Sequence, residues 1–244
     1  QPRVSSTVIG DGLKGTLWCH KHKNLSVLEL EDVTVQLLMT RLRDVKTGGA
    51  EFTLIADRLF NHLIESATAE LPTEEEEVMT PSGVKYQGTT FKGDFEHLLG
   101  VTIANDSRLM VSSLKTIMPK LNIAFIATTE DPKSGGKVGF GGLCVLPSEL
   151  GDKHILLLDP VLARGRSVTE SIKYLKRQGA EEENIILLTL TLAPKLADDL
   201  CGDFKHLRII SASIEADVDD KHQLIPGIGN FYARYLSEVS APKK

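Results

Sequence analysis

Residues 154–167, HILLLDPVLARGRS, decide the fold class of this chain. HILLLD is an apolar run of strand length, and the segment SVTESIKYLKRQG (167–179) after the loop is helical in composition and ends in glycine. A loop between a strand and a helix is where many α/β proteins hold a phosphate. Here Arg164 and Arg166 flank Gly165, where a phosphate-binding loop normally has small residues. The loop is therefore either a phosphate site with added positive charge or a site that has been filled in.

The same alternation of strand and helix continues along the chain. Four further apolar runs predict strands, at 98–104 (LLGVTIA), 121–127 (LNIAFIA), 184–193 (NIILLTLTLA) and 207–214 (LRIISASI). Helices are predicted at 107–118, at 167–179 and, as a short helix, after residue 193. Near-continuous apolar strands alternating with helices predict an α/β fold, with a parallel sheet covered on both faces. Ligands of such sheets bind at the carboxyl ends of the strands.

The remaining segments are predicted to be two helices and two loops. The helices lie at 30–49 and 49–71, because apolar residues recur there at three- and four-residue intervals. The acidic run TEEEEVMTPSG (73–83) predicts a solvated loop, since consecutive glutamates cannot be buried. The glycine-rich segment TTEDPKSGGKVGFGG (128–142) predicts a long loop of the kind that forms lids.

Composition and charge limit the class of protein. With 244 residues, 41% of them hydrophobic, and no repeats, the chain is expected to form one domain. Its net charge of -5 argues against a general nucleic-acid binder, and no apolar run reaches the roughly 20 residues that span a bilayer.

Cysteine usage indicates the compartment. Cys19, Cys144 and Cys201 include no CxxC pair, which favours a reducing, intracellular and cytoplasmic setting, with an organelle after presequence removal as the alternative. Cys19, His20 and His22 lie close together, but no second ligand cluster stands at a zinc spacing. No metal site is therefore predicted.

The polar residues around the 154–167 loop are the first candidates for a ligand site. Asp159 ends a predicted buried strand, so its carboxylate is expected at the carboxyl edge of the sheet. Ser167 is expected near the N-cap of the next helix, where unpaired N–H groups attract anions. One interpretation gives Asp159 to ligand hydroxyls and the loop amides to a phosphate. The other is that Asp159 starts a turn before Pro160 and that Ser167 simply caps its helix.

A second candidate is QLIPGIGNFYARY (223–235), after the last predicted strand. Pro226, Gly227 and Gly229 predict a tight turn whose main-chain groups can contact a flat ligand. The alternative is an irregular C-terminal turn packed on the core.

Three stretches together resemble a known family. GVTIA…M (100–110), LLLDPVLARGRS (156–167) and IPGIGNFYARY (225–235) come in the order seen in uracil phosphoribosyltransferases. The chain resembles especially the branch that is found alone in eukaryotes or fused behind uridine kinases, and the resemblance covers about Leu25 to Leu236.

This resemblance implies a fold and a domain organisation. The expected architecture is a type I phosphoribosyltransferase fold, with a mostly parallel central sheet flanked by helices and a C-terminal hood. A β-arm at 79–91 that pairs subunits is also implied. The single domain is expected at 25–244, after an N-terminal extension at 1–24.

The resemblance also implies a reaction and a set of site residues. The family transfers the ribose 5-phosphate of phosphoribosyl diphosphate (PRPP) to uracil, giving UMP and pyrophosphate, usually with Mg²⁺. Asp159 is then the catalytic carboxylate that holds the ribose hydroxyls. The 5′-phosphate loop falls on Ala163, Arg164, Gly165, Arg166 and Ser167. The uracil-recognising hood falls on Ile225, Gly227, Ile228, Gly229, Asn230 and Phe231.

The chain departs from the family's pattern where PRPP is held. In the 5′-phosphate loop, Arg164 and Arg166 replace a threonine and a small residue. The family's RAGE sequence, which contacts pyrophosphate, falls on Asn105, Asp106, Ser107 and Arg108. An arginine of the pyrophosphate clamp is therefore missing, and an acidic residue stands beside its position.

Two further departures lie outside these motifs. After the hood, Tyr232 and Ala233 stand where glycine and aspartate are expected. The flexible loop that carries another arginine in the family has acidic and lysine residues here, namely Glu130, Asp131, Lys133 and Lys137.

These departures lead to two hypotheses. Each lost transition-state contact costs roughly 3 kcal/mol, a hundredfold or more in rate. The first hypothesis is therefore a uracil phosphoribosyltransferase-like protein with a degraded PRPP site, catalytically impaired or inactive. It would act as a binding or structural subunit, as a homodimer or in a larger assembly, with uracil, UMP or PRPP as ligands. The second is an active enzyme of pyrimidine salvage that uses Mg²⁺, supported by Asp159, Ser167 and the hood.

Overall fold

The computed structural model describes residues 22–93, 95–103, 106–131 and 137–236. The strands, in chain order, are β1 (Leu25–Val27), β2 (Thr73–Met79), β3 (Lys85–Phe91), β4 (Leu98–Ile103), β5 (Asn122–Asp131), β6 (Lys137–Val145), β7 (His154–Leu158), β8 (Val161–Leu162), β9 (Ile185–Leu192), β10 (Arg208–Ile214), β11 (Asp217–Val218) and β12 (Leu224–Ile225). The helices are α1 (Val33–Arg43), α2 (Gly49–Thr68), α3 (Val111–Ile117), α4 (Arg166–Arg177), α5 (Pro194–Asp203) and α6 (Phe231–Tyr235). Of the expected N-terminal extension, residues 1–21, with Cys19 and His20, lie outside the described residues.

An eight-stranded sheet forms the centre of the molecule. Its order is β1-β10-β9-β7-β4-β5-β6, with β8 beside β9. Every pairing is parallel except that of β5 with β6, which is antiparallel. The five strands predicted from apolar runs are the five consecutive members β10, β9, β7, β4 and β5. The predicted mostly parallel sheet is therefore confirmed.

Both faces of this sheet are buried because side chains alternate along each strand. In β7, Ile155 and Leu157 pack on one face against α4 and α5, as part of one core cluster. Leu156 and Leu158 pack on the other face, in the cluster that includes α1, α2, α3 and α6. The strand needs apolar residues at every position, which explains why the run HILLL is continuous.

The acidic segment 73–83 is mostly a strand, so its prediction as a loop is wrong. Thr73–Met79 form β2, which pairs antiparallel with β3 in a separate two-stranded sheet. Every residue of β2 is exposed. The glutamates thus remain in water while the backbone pairs with β3, and Glu77 forms an ion pair of 2.8 Å with Lys85.

The glycine-rich segment 128–142 is also largely extended, so the prediction of one long loop is wrong there. β5 continues to Asp131, and β6 starts at Lys137 and pairs back onto β5, with Thr128 opposite Phe140. Residues 132–136 lie outside the described residues. The ring of Phe140 stacks on Tyr174 of α4 at 4.5 Å, which fixes β6 at the edge of the sheet despite its glycines.

The N-terminal helices are shorter than predicted. α1 begins after Asp32, whose carboxylate accepts the Thr34 N–H at 2.7 Å and caps the helix. Val33 and Leu37, two apolar residues of this helix, are 66% and 65% exposed. The described helices include none that is long and apolar enough to cross a membrane.

Candidate functional site

Asp159 lies at the carboxyl end of β7, as the sequence predicts. The strand itself ends one residue earlier, at Leu158, and the Asp159 N–H donates to the Leu188 carbonyl of β9 at 3.1 Å. The residue is half-buried and borders a cavity of about 270 Å³. Its carboxylate therefore stands at the sheet edge where ligands of parallel sheets bind.

The 5′-phosphate loop predicted at 163–167 keeps a backbone that only glycine fits well. Gly165 is the N-cap of α4 and has a φ of 71°. A Cβ at this position would lie 2.0 Å from Leu196 Cδ1. Ser167 was predicted near the N-cap, but α4 begins at Arg166, so Ser167 is its second residue. The main chain thus retains the strand–loop–helix frame of a phosphate site.

Two cavities share lining residues of this loop. The smaller one is lined by Asp159, Gly165 and Ser167, together with Arg164, Arg166 and His222. The larger one, about 400 Å³, is lined by Lys195, Asp199 and Asp217, again together with Arg164, Arg166 and His222. Arg164 and Arg166 are exposed side chains that border both cavities. Cationic side chains therefore border the loop, together with the carboxylates of Asp159, Asp199 and Asp217.

Among the described residues that line the smaller cavity, one carboxylate could bind the Mg²⁺ that the family's reaction uses. That group is Asp159. Magnesium is commonly held by one or two carboxylates together with substrate phosphates and water. Asp159 fits this pattern, with the other ligands taken from the substrate.

His222 joins the site although sequence reasoning did not select it. It lies between β11 and β12, has a φ of 60° and donates its N–H to the Asp219 carbonyl at 2.8 Å. A positive φ is uncommon for residues other than glycine. His222 borders both cavities, so the segment between β11 and β12 that leads into the hood lies beside the 5′-phosphate loop. Its context in the sequence, DDKHQ, carries no motif that predicts this role.

The hood is a tight turn, as predicted. The Ile225–Pro226 peptide bond is cis, and Gly227 and Gly229 have φ values of 66° and 72°. Gly227 is buried, and a Cβ there would lie 2.1 Å from the Leu224 carbonyl oxygen. Gly229 is exposed. Glycine is therefore required at 227 by packing as well as by backbone conformation.

A buried carboxylate accepts a hydrogen bond from the main chain of the hood. Glu215 is fully buried, and its Oε2 accepts the Gly227 N–H at 3.0 Å. Its Oε1 accepts from Arg43 Nη2 at 3.1 Å, and Nη1 of the same arginine donates to Glu29 Oε1 at 2.7 Å. Burial lowers the pKa of Arg43, but its hydrogen bonds to Glu29 and the charge of Glu215 outweigh burial, so the pKa is raised.

Glu215 was missed although the sequence carries a signal for it. It comes directly after the buried strand β10, as Asp159 comes directly after β7. Applying the same rule to both strand ends would have selected both carboxylates.

Arg234 fixes the other side of the hood. Its guanidinium donates to the carbonyls of Leu42, Asp44, Thr47 and Ile228 at 2.6 to 2.9 Å. It also lies 4.2 Å from the centre of the Phe52 ring. Burial lowers the pKa of this arginine. The hood is thereby tied to α2 and to the end of α1.

The last predicted hood residues have structural contacts of their own. Asn230 caps α6 by accepting the Ala233 N–H at 3.0 Å. Phe231 is buried, with its ring centre 5.9 Å from those of Phe52 and Phe60. Ile225 pairs with Asp217 between β12 and β11. Residues 225–231 are not among the described lining residues of either cavity.

Ser107 and Arg108 of the predicted pyrophosphate segment are not among the described lining residues of either cavity. Asn105 is outside the described residues, and Asp106 begins a short 3-10 helix, Asp106–Met110. Ser107 is buried and donates its hydroxyl to the Ile103 carbonyl. The Arg108 guanidinium lies 4.1 Å from the centre of the Phe125 ring of β5. Lys133 and the side chains of Glu130, Asp131 and Lys137 are also outside the described residues.

Comparison with known proteins decides the family. A family model described as uracil phosphoribosyltransferase matches residues 29–237. The chain belongs to the uracil phosphoribosyltransferase family. Its sheet of parallel strands with flanking helices is the type I phosphoribosyltransferase fold that the resemblance implies.

Individual relatives fall into two groups. The chain is 31% identical over 218 residues to uridine kinase-like protein 3 of Arabidopsis thaliana, which covers 89% of this chain and 45% of that protein. It is 32% identical over 205 residues to uracil phosphoribosyltransferase 2 of Schizosaccharomyces pombe, covering 82% of this chain and 89% of the relative. The chain thus spans about half the length of the kinase-like relatives and nearly all of the shorter one.

A solved structure supports the fold alone. The AQ2163 protein of Aquifex aeolicus superposes with a TM-score of 0.74 at 18% identity, over 87% of this chain and 98% of that chain. At this identity the likeness shows a shared architecture and carries no statement about a ligand.

Proposed function

We propose that this member of the uracil phosphoribosyltransferase family has a degraded PRPP site, is catalytically impaired or inactive, and serves as a binding or structural subunit. The observation that carries this proposal is the position of Arg164 and Arg166, which border both cavities beside the 5′-phosphate loop. Its candidate ligand is uracil, which carries no phosphate, whereas UMP would place its 5′-phosphate in the same loop as PRPP does.

The loop explains why added arginines count against PRPP. A phosphate held by main-chain amides approaches the backbone closely, and small side chains leave that approach open. Two long cationic side chains at Arg164 and Arg166 occupy the same surroundings. They also add positive charge at the 5′-phosphate side of the ribose alone, whereas PRPP carries phosphate groups on both sides of the ribose.

The pyrophosphate segment supports the same proposal. The arginine that the family uses there is Asn105 in this chain, and the adjacent Asp106 adds a carboxyl group. Arg108 does not replace the lost charge in either cavity, because its guanidinium stacks on Phe125. Loss of even one such contact is worth roughly 3 kcal/mol in the transition state.

A second candidate function, active synthesis of UMP and pyrophosphate from uracil and PRPP, is favoured by one observation. Asp159, Gly165 and Ser167 line a single cavity at the carboxyl edge of the sheet. This is the arrangement that a ribose 5-phosphate with bound Mg²⁺ would need.

One experiment separates the two functions. Purified protein is assayed for UMP formation from uracil and PRPP with Mg²⁺, and binding of PRPP, uracil and UMP is measured separately by calorimetry. We expect UMP formation at background level and no saturable PRPP binding. Turnover well above background that is lost in Asp159→Asn would overturn the proposal in favour of the enzyme.

We also propose that the chain is a homodimer through the hairpin of β2 and β3. A free-standing hairpin is marginally stable in water, and this one exposes Val78, Met79, Val84 and Tyr86. Light scattering should therefore give twice the mass of the chain. Val78 and Tyr86 are directly opposite each other in the hairpin. A Val78→Lys/Tyr86→Lys variant should therefore be monomeric, because it places two like charges side by side on the exposed apolar surface.

A further inference from the structure

A chain of buried polar contacts connects the hood to the N-terminal helices. It runs from Glu29 to Arg43, then to Glu215, and ends at the Gly227 N–H of the hood turn. Glu29 and Glu215 are 7% and 0% exposed. Because a buried carboxylate must be paired, each member of this chain depends on the next.

The contact at Gly227 fixes the turn at its least adaptable point. Gly227 has a positive φ and a backbone with no room for a Cβ. Its N–H points inward to Glu215, and the carbonyl of the next residue, Ile228, accepts from Arg234 at 2.6 Å. Two successive residues are thus bonded to the protein interior, which leaves the exposed Gly229 and Asn230 on the outer side of the turn.

We propose that Glu215 is a positioning residue for pyrimidine recognition by the hood. Its carboxylate, held in place by Arg43, sets the orientation of the Gly227 peptide and thereby the direction in which Gly229 and Asn230 face. The inference rests on the proposed function, since it takes the hood as the place where the base binds. A hydrogen bond to a charged group is strong, so its loss should raise the population of the open turn about tenfold or more.

The test compares two substitutions on the same arginine. Glu215→Gln removes the charge that binds the Gly227 N–H, whereas Glu29→Gln removes the other carboxylate of Arg43 and leaves the hood contact in place. Melting temperature, amide hydrogen exchange at Ile225 and at residues 227–231, and calorimetric affinity for uracil and UMP are measured for each. We expect both variants to melt at lower temperature. Only Glu215→Gln should also speed exchange and weaken base binding, each about tenfold.

The outcomes separate this inference from the proposed function. Equal losses of exchange protection and affinity in both variants at matched stability would mean that Glu215 is merely structural. If the wild-type protein binds neither uracil nor UMP, the proposed ligand is wrong, and the exchange comparison alone decides whether Glu215 orients the turn.

A second pair of variants covers the case in which Glu215→Gln does not fold. Arg43→Lys keeps the positive charge but loses the planar fork that reaches both Glu29 and Glu215. Glu215→Asp keeps the charge on a shorter side chain. Arg43→Lys leaves the carboxylate that accepts the Gly227 N–H and should keep more exchange protection than Glu215→Asp, whose shorter side chain draws that oxygen away. No difference between them would contradict the positioning role.

Discussion

The 5′-phosphate loop and the hood both resemble their family motifs, but their surroundings differ. In the loop, Gly165 packs against the Leu196 side chain, while the neighbouring Arg164 and Arg166 are exposed. In the hood, Gly227 lies against the Leu224 carbonyl oxygen and its N–H is bonded to a buried carboxylate. The loop is thus held mainly through its backbone, and the hood is held through backbone and side chains together.

This difference changes what the retained motif means in each region. The hood sequence IPGIGN is needed for packing whether or not a base binds, because Glu215, Arg234 and Phe231 all depend on its conformation. Arg164 and Arg166 of the loop are exposed rather than packed into the core. The two arginines in the loop therefore say more about function than the whole of the hood does.

Glycine substitutions compare the two regions directly, and Gly227→Ala should have the largest effect. The left-handed backbone and the clash with a main-chain oxygen together should cost about 3 kcal/mol. Gly165→Ala meets the far end of a leucine side chain that can move, so about 2 kcal/mol is expected. Urea denaturation of each variant measures the free energy of unfolding.

Gly229→Ala is the matched control for this comparison. Its φ of 72° is close to that of Gly227, but the nearest atom to a new Cβ is Arg234 Cδ at 3.5 Å. The loss should therefore be only the cost of the backbone conformation, about 1 kcal/mol. If Gly227→Ala were no worse than Gly229→Ala, close packing of the hood would not be what requires its first glycine.

A change of pH at the amino-terminal edge of the sheet should alter the free energy of unfolding less than these glycine substitutions do. His154 opens β7, the strand that leads to Asp159, and burial, followed by the charge of His97, lowers its pKa below 6.5. Below that pH the unfolded chain takes up the proton before the folded one does, so stability falls as pH is lowered. Above it both states are neutral at this residue and the contribution is constant.

Replacing His154 with asparagine tests that effect. The free energy of unfolding of wild type and His154→Asn is compared by urea denaturation from about pH 5 to pH 8, the range in which histidines titrate. The variant should lose less stability on acidification than wild type does. Equal slopes in the two proteins would contradict the assignment.

The fold could be predicted from the sequence to the extent that burial shaped each segment. The continuous apolar runs became the five central strands, because a parallel sheet buries both faces. The exposed strand β2 and the edge strand β6 were predicted as loops, since their pairing is made by backbone groups and leaves no apolar periodicity. β2 is rich in glutamate and β6 in glycine, and both residue types are depleted in strands.

The site could be predicted where a residue lies next to a strand end or in a glycine turn. Asp159, Gly165 and the hood glycines were found in this way. Lys195 and His222 were not, because they reach the cavities from segments far away in sequence. Arg43 was missed for a similar reason, since its partner Glu215 is 172 positions further along the chain.

Replacing the two loop arginines should have the smallest effect on stability and the clearest effect on ligand choice. In an Arg164→Thr/Arg166→Ala variant the exposed charges are removed and the packed Gly165 is kept, so the free energy of unfolding should change by less than about 1 kcal/mol. If the arginines obstruct the 5′-phosphate loop, the variant should gain a PRPP-dependent rise in melting temperature with Mg²⁺ that the wild-type protein lacks. Lys195→Thr, which alters the larger cavity alone, should show no such gain. A wild-type protein that PRPP already stabilises, and a double variant that has lost this response, would instead show that the arginines bind the phosphate.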